Sequence, residues 1–238
     1  MNHQQHQIKI IDQIEKQIKA NSLKSSTVSP VTNFENDSRI CLTSVHFPAL
    51  DLMSYISKSI INPLKKISPE HYYYSDMSFH ITIKNIRVIH DPPNFTSENI
   101  KTVREVFSKI VSRHNKFKVY FYRLLLFPNN LALIGTTEQE LDNIILDLDK
   151  CLTESGVPDD KQYVNSKYFF CNMTLARFNS DVNQKFVKTV QELSKNIKID
   201  PYIVDSVSLI TANAVLSKLQ IIDTWKMSHP REDGDPDA

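Results

Sequence analysis

Apolar positions along this chain alternate between two spacings, every second residue and every third or fourth, and the changes of spacing mark its elements. Ile8, Ile11, Ile14 and Ile18 predict an amphipathic helix near the start. Residues 22–38, rich in Ser, Thr, Pro and Asn, read as a linker. Residues 39–47 predict a strand ended by Pro48. Residues 49–67 predict a helix with Leu50, Met53, Ile56, Ile60 and Leu64 on one face, and Pro63 is placed to kink or end it. Residues 77–88 predict a strand. A helix over 97–114 follows, with Ser97 as N-cap and Ile100, Val103, Val106, Phe107 and Ile110 as its stripe. Strands over 117–127 and 131–135 flank the turn Pro128-Asn129-Asn130, and the helix over 138–155 closes at Gly156, where a left-handed C-cap belongs. A strand over 167–178, a helix over 182–196 and strands over 204–209 and 219–227, around a turn near Ala212-Asn213-Ala214, complete the order.

The sequence of elements is strand–helix–strand–helix–strand followed by a similar second set. That order predicts an α+β, internally duplicated bilobal fold, with two antiparallel sheets lining a central cleft and helices on the outside. The expected organisation is an N-terminal helix over 1–21, a linker over 22–38, one domain over 39–228 and an acidic, disordered tail over 229–238. The helix is expected to dock on the domain or on a protein partner.

Two of the predicted strands carry matching polar pairs. In Ser78-Phe79-His80-Ile81-Thr82-Ile83-Lys84, residues i and i+2 share a face, so His80, Thr82 and Lys84 project together, away from Phe79, Ile81 and Ile83. In Phe170-Cys171-Asn172-Met173-Thr174-Leu175-Ala176-Arg177, Asn172 and Thr174 project together. Side by side, these strands form a cleft of hydrogen-bonding groups suited to a phosphate. Lys84 reads equally well as a phosphate contact or as a solvated charge. Arg177, on a regular strand, falls opposite Thr174 and reads as a structural ion pair at least as well as a phosphate contact. Tyr72, Tyr73 and Tyr74 suit packing more often than base stacking. His46, His71 and His90 are further proton carriers to weigh, though surface or turn positions are commoner for each. Cys171 turns toward the helices as a buried thiol.

Composition narrows the classes. The chain has 238 residues and 41% apolar content, enough for a sizeable core. Its net charge of +1 gives no global basic field for nucleic acid, so RNA recognition needs a local site. Three cysteines without Cys-x-x-Cys spacing fit reduced thiols in a cytoplasmic protein. No apolar run is long enough to span a membrane, and the N-terminal segment, with Asp12 and Glu15, has no signal-peptide core. Three glycines leave no Gly-rich phosphate loop, and no metal-ligand set or cofactor fingerprint is present.

A lone His-x-Thr carries little weight in a chain with eight histidines. The strand context, the companion Thr and the duplicated layout add to it, and with them the chain resembles the 2H phosphoesterases. That family includes the bacterial 2′-5′ RNA ligase-like proteins and the cyclic phosphodiesterases. Its members carry two His-x-Thr/Ser motifs on the central strands of a bilobal fold. Phe79-His80-Ile81-Thr82-Ile83 resembles the first motif. Asn172-Met173-Thr174-Leu175-Ala176-Arg177 resembles the second, which commonly reads His-x-Thr-Leu-x-Arg. Residues 117–135, with Phe127-Pro128 before Leu131-Ala132-Leu133-Ile134, resemble the family's central hairpin. The resemblance spans Arg39 to Met227. It implies metal-independent, cofactor-free hydrolysis of 2′,3′-cyclic phosphates or 2′-5′ linkages, with RNA ends or cyclic nucleotides as partners. His80 and Thr82 are then catalytic, and Asn172, Thr174 and Lys84 bind substrate. Asn172 replaces the second histidine and cannot exchange a proton, so the resemblance leaves two readings, a weakened enzyme and an inactive nucleotide-binding module. An α+β scaffold with a structural His80 is the bland alternative.

Overall fold

A computed structural model describes residues 1–24 and 28–228. The expected tail, residues 229–238, lies outside the described residues. The strands are β1 Ile40–His46, β2 Tyr72–Tyr73, β3 Ile81–His90, β4 Phe117–Phe127, β5 Asn130–Thr137, β6 Cys171–Arg177, β7 Tyr202–Val204, β8 Ser206–Ala212 and β9 Gln220–Lys226. They form two sheets, one in the order β3-β1-β8-β9 and one in the order β2-β6-β5-β4-β7, with every pairing antiparallel. This is the expected α+β, two-sheet architecture.

The sheets are not successive in the chain. Sheet one combines β1 and β3 with β8 and β9 from the far end, and sheet two takes most of the middle. The duplication is visible in space. Counted outward from the motif-bearing strand, β3-β1-β8-β9 matches β6-β5-β4-β7, and in each sheet a helical segment separates the motif strand from its neighbour in sequence. β3 is the edge of its sheet, and only the two-residue β2 lies beyond β6. The two motif strands therefore meet where the sheets face each other.

The helices follow their apolar stripes. α2 Leu50–Ile56 passes through a π-helical turn, Ser57–Ile61, into α3 Asn62–Lys65. The wider turn lies directly before Pro63, which lacks an N–H and crowds the preceding turn, so the helix continues instead of breaking. α4 Ser97–Ile110 is capped by Thr96, not Ser97. The Thr96 hydroxyl accepts from Asn99 N (3.2 Å) while the Asn99 side chain accepts from Thr96 N (3.0 Å). α5 Glu140–Glu154 ends as expected at Gly156, whose φ of +75° falls in the left-handed region. α6 Gln184–Lys195 is capped by Asn183. The strand expected from residue 77 starts at Ile81, because Asp76–Ser78 coil into a 3₁₀ turn. β8 runs on through Ala212, so the turn falls after Asn213 rather than around it.

The N-terminal helix α1, His3–Lys19, docks on sheet two. Ile10, Ile11 and Ile14 are buried against Leu125, Ala132 and Ile134. Its inward stripe is rotated from the expected one: Ile8 faces outward and Gln7 takes the buried place. The Gln7 amide donates to Thr137 Oγ1 (2.8 Å) and Phe169 O (2.5 Å), and Thr137 N donates back to Gln7 Oε1 (2.8 Å). Arg123 on β4 pairs with Asp12 (2.8 Å) and Glu15. Of the two expected seats for this apolar face, the domain and a protein partner, the structure shows the domain. The expected linker is also packed: Phe34 is buried in the main core, and Asn213 donates to Phe34 O (3.1 Å). Among the described residues no helix is long and apolar enough to cross a membrane.

Candidate functional site

A cavity of about 540 Å³ opens between the sheets. His80, Thr82, Asn172 and Thr174 all line it, so the two distant segments are neighbours, with the first motif on one wall and the second on the other. Thr82 opposes Val45 on β1, and Thr174 and Asn172 oppose Ala132 and Ile134 on β5. The side chains of Thr82, Asn172 and Thr174 make no hydrogen bond to another described residue, which leaves two hydroxyls and a carboxamide for a ligand.

His80 is held just before β3. Its Nδ1 lies 2.8 Å from Ser78 O, and a carbonyl oxygen only accepts, so Nδ1 carries the proton. Nε2 is then left with its lone pair. Burial pushes the imidazole down to about 4; the Ser78 hydrogen bond opposes this, and the charge of Arg177 adds to it. At neutral pH His80 is a neutral base with its accepting nitrogen unoccupied by Ser78.

Two residues change face. β3 carries a bulge at Ile83: Thr82 opposes Val45 while Lys84 opposes Ser44, so the pleat's alternation reverses after the motif. Lys84 therefore does not line the cavity. It turns to the helix side, fully buried, and pairs with Asp149 on α5 (2.5 Å) and with Asp159. Burial alone lowers an amine's pKa, but Tyr163, Asp149 and Asp159 outweigh that and hold Lys84 charged. Lys84 thus ties the motif strand to α5 and to the loop that starts at Pro158.

A second bulge, at Leu175, acts in the opposite sense on β6. Thr174 opposes Ala132 while Ala176 opposes Leu131, so Arg177 swings onto the face of Asn172 and Thr174 and lines the cavity. Arg177 is only 8% exposed, and no carboxylate among the described residues lies within 4 Å of it. Its Nε donates to Tyr74 Oη (2.9 Å) and an Nη to Ala214 O (3.3 Å). Tyr74 is consumed in holding this arginine, and Tyr73 donates to Ser68 O (2.9 Å). Tyr72 packs beside Phe34. None of the three tyrosines lines the cavity.

Pattern reading missed further lining groups. Lys161 enters from the loop that follows Asp159 and has no carboxylate within 4 Å among the described residues. Its pKa is lowered by burial, with Asp159 opposing and the charges of Lys84 and Arg177 reinforcing. Arg39 lines the cavity while paired with Asp37 behind it (2.8 Å). Asn85 lines it as well, because the bulge at Ile83 brings it round to the face of Thr82. No aspartate or glutamate lines the cavity among the described residues.

The alternative proton carriers lie elsewhere. His46 is buried with Nδ1 donating to Ser206 O (2.9 Å) and Nε2 accepting from Tyr202 Oη (2.8 Å). His71 packs between Phe178 and Phe186. His90 is exposed, 2.7 Å from Pro92 O. None lines the cavity. Cys171 is buried on the helix side, its thiol pushed up by burial, as expected of an inert core thiol. Among the described residues no group of three His, Cys, Asp or Glu is placed to hold a metal ion.

No protein-family model and no curated protein sequence matches the chain. Solved structures do. E. coli LigT in apo form aligns over 81% of this chain and 100% of its own, with 14% identity and a TM-score of 0.54. A structure described as a phosphoesterase aligns over the same shares at 13% identity and a TM-score of 0.53. ATU0111 from Agrobacterium tumefaciens, a conserved protein of unknown function, covers 86% of this chain and 98% of its own at 12% identity and a TM-score of 0.57. E. coli LigT has also been solved with ATP and with 3′-AMP. The chain shares the fold of E. coli LigT.

Proposed function

We propose that the cavity binds the phosphate of a nucleotide or RNA end and hydrolyses 2′,3′-cyclic phosphates or 2′-5′ linkages slowly, with His80 as its single proton carrier. The observation that carries this reading is the charge of the cavity: among the described residues Arg177 and Lys161 have no carboxylate within 4 Å, Arg39 lines the same cavity, and no acidic residue lines it around a neutral imidazole. A buried, unpaired guanidinium is costly, and a bound anion relieves that cost. The fold shared with LigT, which has been solved with ATP, with 3′-AMP and with phosphate, supports a phosphate-bearing ligand, nucleotides included.

The groups suit distinct tasks. Nε2 of His80 accepts the proton of an attacking water as its oxygen bonds to phosphorus. The hydroxyls of Thr82 and Thr174, the Asn172 NH₂ and the Arg177 guanidinium donate to phosphoryl oxygens whose charge grows in the transition state. The ribose oxygen leaves without a proton from Asn172, which has none to exchange. Positioned acid–base catalysis is worth about 10²–10⁴ per group, so this chemistry runs slower by about that factor than with two imidazoles. The same carboxamide favours a second reading, a nucleotide-binding module without turnover.

The assay that separates them uses 2′,3′-cyclic nucleotides and short RNAs ending in a cyclic phosphate, with EDTA present. Turnover abolished by His80→Ala supports the enzyme. Measurable affinity without turnover, lost in the Thr82→Ala/Thr174→Ala double variant, supports the binder. Neither turnover nor affinity refutes both.

A further inference from the structure

Arg177 stands on β6 of sheet two, yet the carbonyl it meets, Ala214 O, belongs to the turn that follows β8 of sheet one. Tyr74 closes this contact into a ring. Arg177 Nε donates to Tyr74 Oη (2.9 Å), Tyr74 Oη donates to Ala214 O (2.5 Å), and Arg177 Nη2 donates to the same carbonyl (3.3 Å). A carbonyl oxygen only accepts, so the phenol proton is committed to Ala214 and a lone pair is left to face the arginine. Nε and Nη2 bound one edge of the planar guanidinium, and the protein occupies that edge. Among the described residues the other N–H groups, on Nη1 and on the far side of Nη2, have no partner, and they form the edge left to a ligand.

We propose that Tyr74 is a positioning residue: its hydroxyl fixes the Arg177 guanidinium before any ligand arrives, so that the anion is taken end-on by the Nη1–Nη2 edge. This role presupposes the anion-site reading above. Tyr74 is buried and does not line the cavity, so its hydroxyl reaches a ligand only through Arg177. The carbonyl that both residues share is fixed in turn. Asn213, fully buried, donates to Phe34 O (3.1 Å) and Ser217 Oγ (2.8 Å) and accepts from Lys218 N (3.3 Å), which pins the turn to the segment ahead of β1. Within the turn Leu216 holds a φ of +60°, a left-handed conformation costly for a bulky side chain, and its packing against Val45 and Ile210 keeps it there. An arginine free to rotate gives up rotamer freedom when it binds an anion, whereas one fixed beforehand does not. Donors set in advance also need no rearrangement as charge grows on the phosphoryl oxygens.

The test measures affinity of the full chain for adenosine 2′,3′-cyclic phosphate. It compares the unaltered protein with Tyr74→Phe, Arg177→Met and the double variant, each checked by its thermal melt. Tyr74→Phe keeps the ring that stands beside His80, centroids 6.1 Å apart, and removes the hydroxyl alone. The expected result is an affinity about tenfold weaker in Tyr74→Phe, the scale of one hydrogen bond to a charged group. The same substitution made on Arg177→Met changes affinity by less than about twofold, because the group it acts through is gone. A tyrosine that serves only the core weakens binding equally in both backgrounds, and that result overturns the proposal, as does unchanged affinity in Tyr74→Phe. Where Tyr74→Phe does not fold, nitrogen-15 NMR of the unaltered protein decides. The Arg177 Nε–H signal, assigned by its loss in Arg177→Met, exchanges slowly with water before ligand is added. Rapid exchange that slows only on binding overturns the proposal. Failure of the ligand to bind, or equal affinity in Arg177→Met, overturns the anion-site reading itself, a distinct result.

Discussion

Asn172 offers a ligand one amide donor and one carbonyl acceptor and exchanges no proton, whereas His80 presents an unprotonated Nε2 because Ser78 O engages its other nitrogen. From this difference we expect Asn172→His to raise hydrolysis by about 100-fold or more, read as kcat on 2′,3′-cyclic nucleotides. An unchanged rate in the folded variant contradicts the placement of Asn172 across from His80. The pH profile carries the same information. With a base whose pKa is pushed to about 4, the acid limb of the turnover profile lies near pH 4, well below neutrality. Asn172→His adds a descending limb within the neutral range. Stability follows the same group. Folded His80 takes up a proton only near pH 4, whereas the unfolded chain does so near the ordinary 6.5, so the unfolded state binds more protons between them. Stability is therefore full above about 6.5 and is lost as pH falls toward 4, and His46 and His71, lowered by burial, act in the same direction. Urea midpoints measured from pH 7.5 to 4.5 check this. A smaller acid loss in His80→Gln is the expected outcome.

At the scale of elements, the apolar rhythm reads the long strands and the helices, because burial on one face imposes period two or 3.6 wherever the ladder is regular, while β2 and β7, two and three residues long, are too short to show a period. It failed where the ladder is irregular. A bulge adds one residue and inverts every face beyond it, and nothing in Ile83 or Leu175 as residue types announces one. Lys84 was thus expected in the cleft and lies under α5, while Arg177 was expected on the helix side and lies in the cleft. Lys161 was invisible for another reason: it sits on a loop whose path is set by Asp159 reaching back to Lys84, a contact 75 residues apart in sequence. That ion pair predicts a structural role. Lys84→Met leaves Asp159 half-buried without its partner and costs about 3 kcal/mol, measured by urea unfolding. Adenosine 2′,3′-cyclic phosphate affinity in the folded fraction falls far less than in Arg177→Met. β5 offers a packing counterpart. A Cβ at Gly135 meets Val119 Cγ1 at 2.8 Å and Phe121 Cδ1 at 3.1 Å, so Gly135→Ala destabilises by about 1–3 kcal/mol in the same assay.

For the molecule as a whole, the arrangement turns on two sheets, each drawn from separate stretches of chain, presenting their motif strands to one cavity while α1 closes part of it. The proposed anion site draws His80 and Thr82 from the first sheet and Asn172, Thr174 and Arg177 from the second. Neither sheet alone holds a complete set of groups for a phosphate. The most direct test of that shared site is a nitrogen-15 NMR titration with adenosine 2′,3′-cyclic phosphate, following the His80 imidazole and the Asn172 side-chain amide together. We expect both to shift with one common saturation curve, and the His80 pKa to rise from about 4 as the bound anion offsets Arg177. Movement of only one of the two signals, or of neither at saturating ligand, contradicts a site shared between the lobes.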